Sequence, residues 1–521
     1  MRKQFITGLL SLAAFAAAAQ GGPDTYAATI TKEGLKKQLS VIASDEMEGR
    51  ETGTEGQRKA AAYIAGQFEA IGLKPAPGTD HYQQYYAIGY DSLLHSELKI
   101  DDKELVSGKD FADETLNNNT GSLKANKIVF VGYGIGDPKY NDYEGKDVKG
   151  AVVVIFASEP KQDGNSLISG TRTPSPWGSF TIAKKAAFAL EKGAKAVFVI
   201  NVNIGDTLSA GMSHSYMRTG VRVVKQTDPA VNAITMTQSL ARQLLGDDFF
   251  AGVLAKAKKG EALNTDNFEK KVKISYDYEE KKTSYNASNV AGYLEGTDKK
   301  DEYVILTGHY DHLGIRNGKI YYGADDDGSG TCSVIEMARA FAKAKAEGHG
   351  PRRTMIFMTV SGEEKGLWGS EYYSDHPLFP LEKTSVDLNT DMDGRIDTER
   401  KTGDTLNYIY VIGHDKLSSE LAVINEAANT RYTGLTLDYK YDDPKDPNRI
   451  YYRSDHYNFA RKGVPILFFY DGMLKADYHK PTDTIDKISW DLYEKRVRMI
   501  FYTGWEMANR DAMVKRDIPL N

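Results

Sequence analysis

Four apolar runs of strand length, "EYVILTG", "TMIFMTV", "VDLNTDM" and "PILFFYDG", recur between residues 302 and 472, with segments of helical periodicity among them. The helical segments lie near "TCSVIEMARAFAKAKA", "SSELAVINEAAN" and "DLYEKRVRMIFYTGWEMANR". Apolar runs separated by helices form βαβ units and give a mostly parallel sheet. The second half of the chain is therefore expected to be α/β, a mostly parallel central sheet flanked by helices. In such sheets ligands bind beyond the carboxyl ends of the strands.

Residues that bind metals stand in the polar breaks of this pattern. His309 falls in "TGHYDHLG", Asp326 in "GADDDGSG", Glu364 in "TVSGEEKGLWGS", Asp391 in "LNTDMDGR" and His479 in "DYHKPTDT". Two imidazoles and three carboxylates suit a hard or borderline divalent ion such as zinc. Five ligands are one too many for a four-coordinate structural site. They are what two ions need if one carboxylate bridges them and each keeps an open position. Taken singly, each station has an ordinary explanation as a polar turn or a helix start. Together, in one βαβ region, they read as a metal centre.

The neighbours of these residues support that reading. Asp311 is placed to accept the other imidazole N–H of His309 and fix its tautomer. Gly323, Gly328 and Gly330 free the backbone to turn one aspartate inward. "DDDG" resembles a calcium loop, but the glutamate that such a loop needs is missing. Glu363 and Glu364 are adjacent, so their side chains diverge. One can ligate a metal while the other takes the proton from an activated water, whose pKa two metals lower from ~15.7 toward ~7. No G-x-S-x-G elbow is present, and the single cysteine, Cys332, sits in an apolar helical pattern as a core residue would.

Elsewhere the sequence sets limits. Residues 1–19 carry Arg2 and Lys3, an apolar stretch and Ala17 and Ala19 in an A-x-A arrangement, the build of a secretory signal peptide. Cleavage near Ala19 and a periplasmic or secreted location are expected. No Cys follows the apolar stretch to carry a lipid, and no membrane anchor is expected after cleavage. The formal net charge is -6 with no basic stripe, which argues against nucleic acid. One cysteine excludes an internal disulfide and a Cys-based zinc site. Residues 31–75 have helical periodicity around a charged, Gly-rich loop, "DEMEGRETGT". From 100 to about 275 the chain shows short β-type runs and turns, and none of the five stations.

These motifs together resemble peptidase family M28, the di-zinc peptidases of bacterial aminopeptidase type related to glutamate carboxypeptidase II. The likeness rests on the five stations, on "IASDEMEGRETGTEG" and on "YHKPTDT". "YNDYEGKDVKGAVVVIF" and "AAFALEKGAKAVFVI" are similar to the protease-associated domain that many members carry as an insert. The resemblance implies a zinc-exopeptidase fold over residues 28–99 and 276–521, with a smaller β-rich protease-associated (PA) domain at 100–275. It implies two zinc ions bridged by Asp326, with His309 and Asp391 completing one site and Glu364 and His479 the other.

Glu363 would be the general base and Asp311 would orient His309. Ser454 would support His479, and Tyr451 would serve the oxyanion, with Tyr478 as the other position that relatives use. The implied activity is removal of N-terminal residues from peptides with a free N-terminus. A carboxypeptidase or dipeptidase of the same fold, or a receptor-like binding protein using the insert, is the alternative.

Overall fold

The computed structural model describes residues 21–114, 120–178, 182–208, 220–223 and 232–520, so the expected signal segment 1–19 lies outside the described residues. The chain divides into two compact units. One comprises residues 1–86 and 286–521, and the other residues 87–285. The sequence pattern set the insert at 100–275. Both observed divisions fall inside strands, Gln83–Ile100 and Phe268–Leu294, where the apolar pattern does not change.

The first unit is mixed α/β. Its sheet contains the end of β1 (Phe268–Leu294), β2 (Lys299–His309), β3 (Arg353–Val360), β4 (Thr384–Thr390), β5 (Tyr408–Ile412), β6 (Thr436–Asp438) and β7 (Ile466–Tyr470). The spatial order is β6-β5-β7-β4-β2-β3-β1. β3, β2, β4 and β7 pair in parallel, while β1 joins β3 and β5 joins β7 antiparallel.

Both faces of this sheet are covered, so β2, β3 and β7 run largely apolar instead of alternating. β4 also buries polar side chains such as Asp387 and Asn389, which Thr307 of β2 hydrogen-bonds. Val304, Leu306, Met355 and Phe357 join one buried cluster, and Ile305, Ile356 and Met358 join another on the opposite face. On the first face pack α1 (Lys32–Ile42), α2 (Glu55–Ile71), α3 (Gly328–Ala346) and the later helix Trp490–Asn509. α2 begins at Thr54, whose hydroxyl caps the amide of Gln57, and ends at Gly72 with φ 84°. On the other face lie α4 (Trp368–Asp375) and the short helix His456–Ala460.

The second unit is also built on parallel pairing. Gly121–Phe130, Val152–Phe156, Ala196–Ile200 and Ala233–Met236 are parallel neighbours in that order. Three helices, Ala183–Glu191, Gln238–Leu245 and Asp247–Lys259, cover them. The long strands Gln83–Ile100, Gly121–Phe130 and Phe268–Leu294 supply much of this unit, which is rich in strand as the sequence pattern implied, with the three helices added to it.

Candidate metal centre

The parallel strands deliver the expected residues to one edge of the sheet. His309 is the last residue of β2, Asp391 follows β4 directly, and Glu363 and Glu364 lie just past β3. Asp326 is in the turn before α3, and His479 follows β7 in the loop after Tyr470. Met392 (φ 61°) and His479 (φ 54°) hold left-handed backbone that non-glycine residues rarely adopt, a strain concentrated at functional sites.

The five side chains converge. His309 Nε2 lies 3.3 Å from Asp326 Oδ1 and 3.5 Å from Asp391 Oδ1. His479 Nε2 lies 3.2 Å from Asp326 Oδ2 and 2.9 Å from Glu364 Oε2. Asp326 therefore stands between two halves, each with its own imidazole and its own second carboxylate. Glu363 Oε2 comes to 3.8 Å from His309 Nε2.

Several of these atoms are buried without a hydrogen bond: His309 Nε2, Asp326 Oδ2 and Glu364 Oε1. The close contacts are not aligned as hydrogen bonds, and leaving such atoms unsatisfied costs roughly 1–3 kcal/mol each. Divalent cations held in the two halves would satisfy all three, so the donor set fits the metal that the sequence implied.

A buried scaffold holds the loops in place. Asp327 caps α3 at the amide of Gly330 (2.8 Å) and also accepts from the amides of His309 and Met392 (both 3.0 Å), tying three stations together. Asp483 accepts from the amides of Asp325 and Asp326, which links the His479 loop to the Asp326 turn. Gly330 is required here: a Cβ would stand 2.3 Å from the carbonyl oxygen of Thr390.

Asp311 orients His309 differently from the expectation. His309 Nδ1 meets the backbone carbonyl of Asp311 at 3.0 Å, and the carboxylate is 3.6 Å away. That carboxylate instead accepts from Thr52 Oγ1 (2.7 Å) and the amide of Glu363 (3.2 Å). Ser454 Oγ accepts from Asn389 Nδ2, so its partner is not His479.

Sequence reasoning missed the contribution of the early loop. Arg50 is fully buried and donates to the carbonyls of Ile42, Tyr310, Tyr322 and Gly323. Thr52 accepts from the amide of Gly362 at 2.9 Å while donating to Asp311. It also missed His312, the second histidine of "HYDH", whose Nδ1 lies 2.9 Å from Glu364 Oε1. The repeat of histidine three residues after His309 was the one available signal.

The charges are tuned by mutual contact. Burial opposes charge on His309, but the carboxylates of Asp391 and Glu363 outweigh it and hold the imidazole well above its usual pKa. His479 is likewise lifted to about 10 by Asp326 and Glu364 against the effect of burial. The same contacts hold Asp326 well below the carboxylate range, despite burial, and bring Glu364 down to about 2. Glu363 moves the other way: burial raises it against the pull of His309, with Asp391 and Glu364 adding to the rise. Adjacent carboxylates thus diverge, the kind of perturbation that clusters at functional sites.

A small cavity of about 30 Å³ opens onto the cluster, room for a water molecule, with Asp326, Glu363 and Asp391 in its wall. Tyr478, Tyr470 and Arg453 also line it, and Arg453 Nη2 donates to Tyr478 Oη at 2.9 Å. Tyr451 is not among the lining residues. It is buried, its hydroxyl makes no hydrogen bond, and Lys416 lies over its ring. A neighbouring cavity of about 340 Å³ shares Arg453, Leu474 and Tyr478 and adds Lys440 and Lys475.

Residues 289–504 match the profile of peptidase family M28, a span that contains the five stations and Glu363. Over 216 residues the chain is 27% identical to a probable leucine aminopeptidase of Arthroderma otae, covering 40% of this chain and 55% of that protein. It is 26% identical over 216 residues to a probable glutamate carboxypeptidase VP8 of Zea mays, covering 40% of this chain and 29% of that protein. The chain thus spans about half or less of the length of these curated relatives. Among solved structures, an aminopeptidase from Aneurinibacillus sp. strain AM-1 shares the fold, with a TM-score of 0.55 at 19% identity over 96% of this chain and 99% of that one.

Proposed function

We propose that the chain, whose residues 289–504 match peptidase family M28, is a zinc-dependent exopeptidase removing N-terminal residues from peptides. One observation carries the reading: Glu363, with a raised pKa, faces a cavity walled by two carboxylates of an otherwise unsatisfied ligand set. His309 and Asp391 would hold one zinc, Glu364 and His479 the other, and Asp326 both. Bound there, the ions would polarise the scissile carbonyl and acidify a water.

The chain's own residues do the rest. Glu363 accepts the proton from water and passes it to the departing amine; bound cations would pull its raised pKa back toward the working range. Tyr478 is kept neutral by burial and receives a hydrogen bond from Arg453, so its own O–H remains free to donate to a developing oxyanion. This placement favours Tyr478 over Tyr451 for that role. The acid-rich wall suits the ammonium of a free N-terminus.

A second reading, a carboxypeptidase or dipeptidase, is favoured by Arg453, which lines both cavities where a terminal carboxylate would sit. The signal-like segment supports export to a periplasm or the medium. Among the described residues no helix is long and apolar enough to cross a membrane. The separate compact unit at residues 87–285 supports the reading of residues 100–275 as a PA-type insert.

Glu363→Gln tests the assignment. The variant is expected to retain its zinc in elemental analysis while hydrolysis falls by ~10²–10⁴. Undiminished turnover would remove Glu363 from the chemistry.

A further inference from the structure

His312 is fully buried, and neither of its ring nitrogens makes a hydrogen bond. Its Nδ1 lies 2.9 Å from Glu364 Oε1 and 3.9 Å from Asp326 Oδ2, two oxygens that are themselves unsatisfied. Its ring meets that of His479 edge-on, centroids 5.9 Å apart at 72°. The ring is held at this spot by a close backbone approach: a Cβ on Gly323 would stand 2.5 Å from His312 Cγ, and Gly323 has φ 54°. A buried imidazole with both nitrogens unpaired costs several kcal/mol unless something fills the gap. That gap is bounded by the same Asp326 and Glu364 oxygens.

We propose that His312 is a third metal-binding imidazole, ligating through Nδ1 on the Glu364 side of the centre. The inference rests on the two-zinc reading above and makes the two halves unequal. On one side stand four protein ligands, His312, His479, Glu364 and Asp326, the closed set typical of tightly held zinc. On the other stand three, His309, Asp391 and Asp326, leaving a position that Glu363 faces. The closed half holds its ion and shapes the bridge. The open half is where water and substrate exchange.

The test uses the full-length, metal-stripped protein titrated with zinc against a competing chelator, with X-ray absorption recorded after one equivalent. Wild type is expected to show two separate affinities and, at one equivalent, two imidazole ligands on the bound ion. His312→Ala and His312→Asn should both weaken the tighter step by at least ~10- to 100-fold, the loss that removing even a ligand's supporting contact produces, and leave the weaker step unchanged. Asn keeps an N–H near Glu364 without the ring, so restoration of tight binding by Asn would overturn the proposal in favour of a hydrogen-bonding role. An unchanged tighter step in both variants would also overturn it. If the variants fail to fold by circular dichroism, the wild-type spectrum still decides, because one imidazole at one equivalent contradicts the assignment. Two ions bound at saturation with only one imidazole at one equivalent would defeat this proposal alone, whereas no zinc binding would defeat the two-zinc reading beneath it.

Discussion

At the scale of single residues, the centre is a set of side chains that satisfy one another poorly until a cation joins them. The protonated imidazole of His479 beside Asp326 and Glu364 stands in for that cation in the metal-free protein. Its folded pKa, about 10, exceeds its unfolded value, so the stability it contributes is fully present below about pH 6.5 and is lost as pH rises through about 10. With chelator present, the gap in urea midpoint between wild type and His479→Gln should narrow from pH ~6 to pH ~10. A gap that widens would reverse the sign of this account. The two tyrosines separate by position. Tyr478→Phe should lower kcat by ~10²–10³ with KM little changed, and Tyr451→Phe should leave kcat within about twofold. Steady-state kinetics on both variants checks this. The five stations and Glu363 were legible in the sequence because few residue types bind metals and these stood in turns after apolar runs. Arg50 and Thr52 were not, because their partners are backbone groups or residues far away in sequence and no local pattern announces them, and for His312 the only local signal was the histidine repeat in "HYDH".

At the scale of elements, loops at strand ends are positioned by buried carboxylates that serve several backbone amides each. Asp327 is the clearest case, accepting from the amides of His309, Gly330 and Met392. Asp327→Asn turns an N–H₂ toward amides that need an acceptor. It should cost roughly 1–3 kcal/mol in the unfolding free energy of the metal-free protein, more than a cap alone. Urea denaturation measures the loss, and a change below the level of a surface substitution would deny Asp327 this role. The inner strands and α3 were visible as apolar runs and a helical period. β5 was not: Tyr408–Ile412 is a five-residue strand rich in tyrosine, whose phenols find buried partners only in the folded sheet. α4 and the short helix His456–Ala460 were missed because they are too short to show a period.

At the scale of the whole molecule, a parallel-centred sheet in one unit supplies the edge where the stations meet, and a second α/β unit occupies the middle of the sequence. The order of strands and helices after residue 288 made the first unit legible. The limits of the second were blurred because both divisions fall within long strands. The account's central claim is that this edge is a metal-dependent exopeptidase centre acting on free N-termini. It is tested most directly by one panel of dipeptides, unblocked, N-acylated and C-amidated, assayed for amino acid release with and without chelator. The account predicts release from unblocked and C-amidated peptides, none from N-acylated ones, and loss of all release with chelator that returns on adding zinc. Release from N-acylated peptides, or release that chelator leaves untouched, would contradict it.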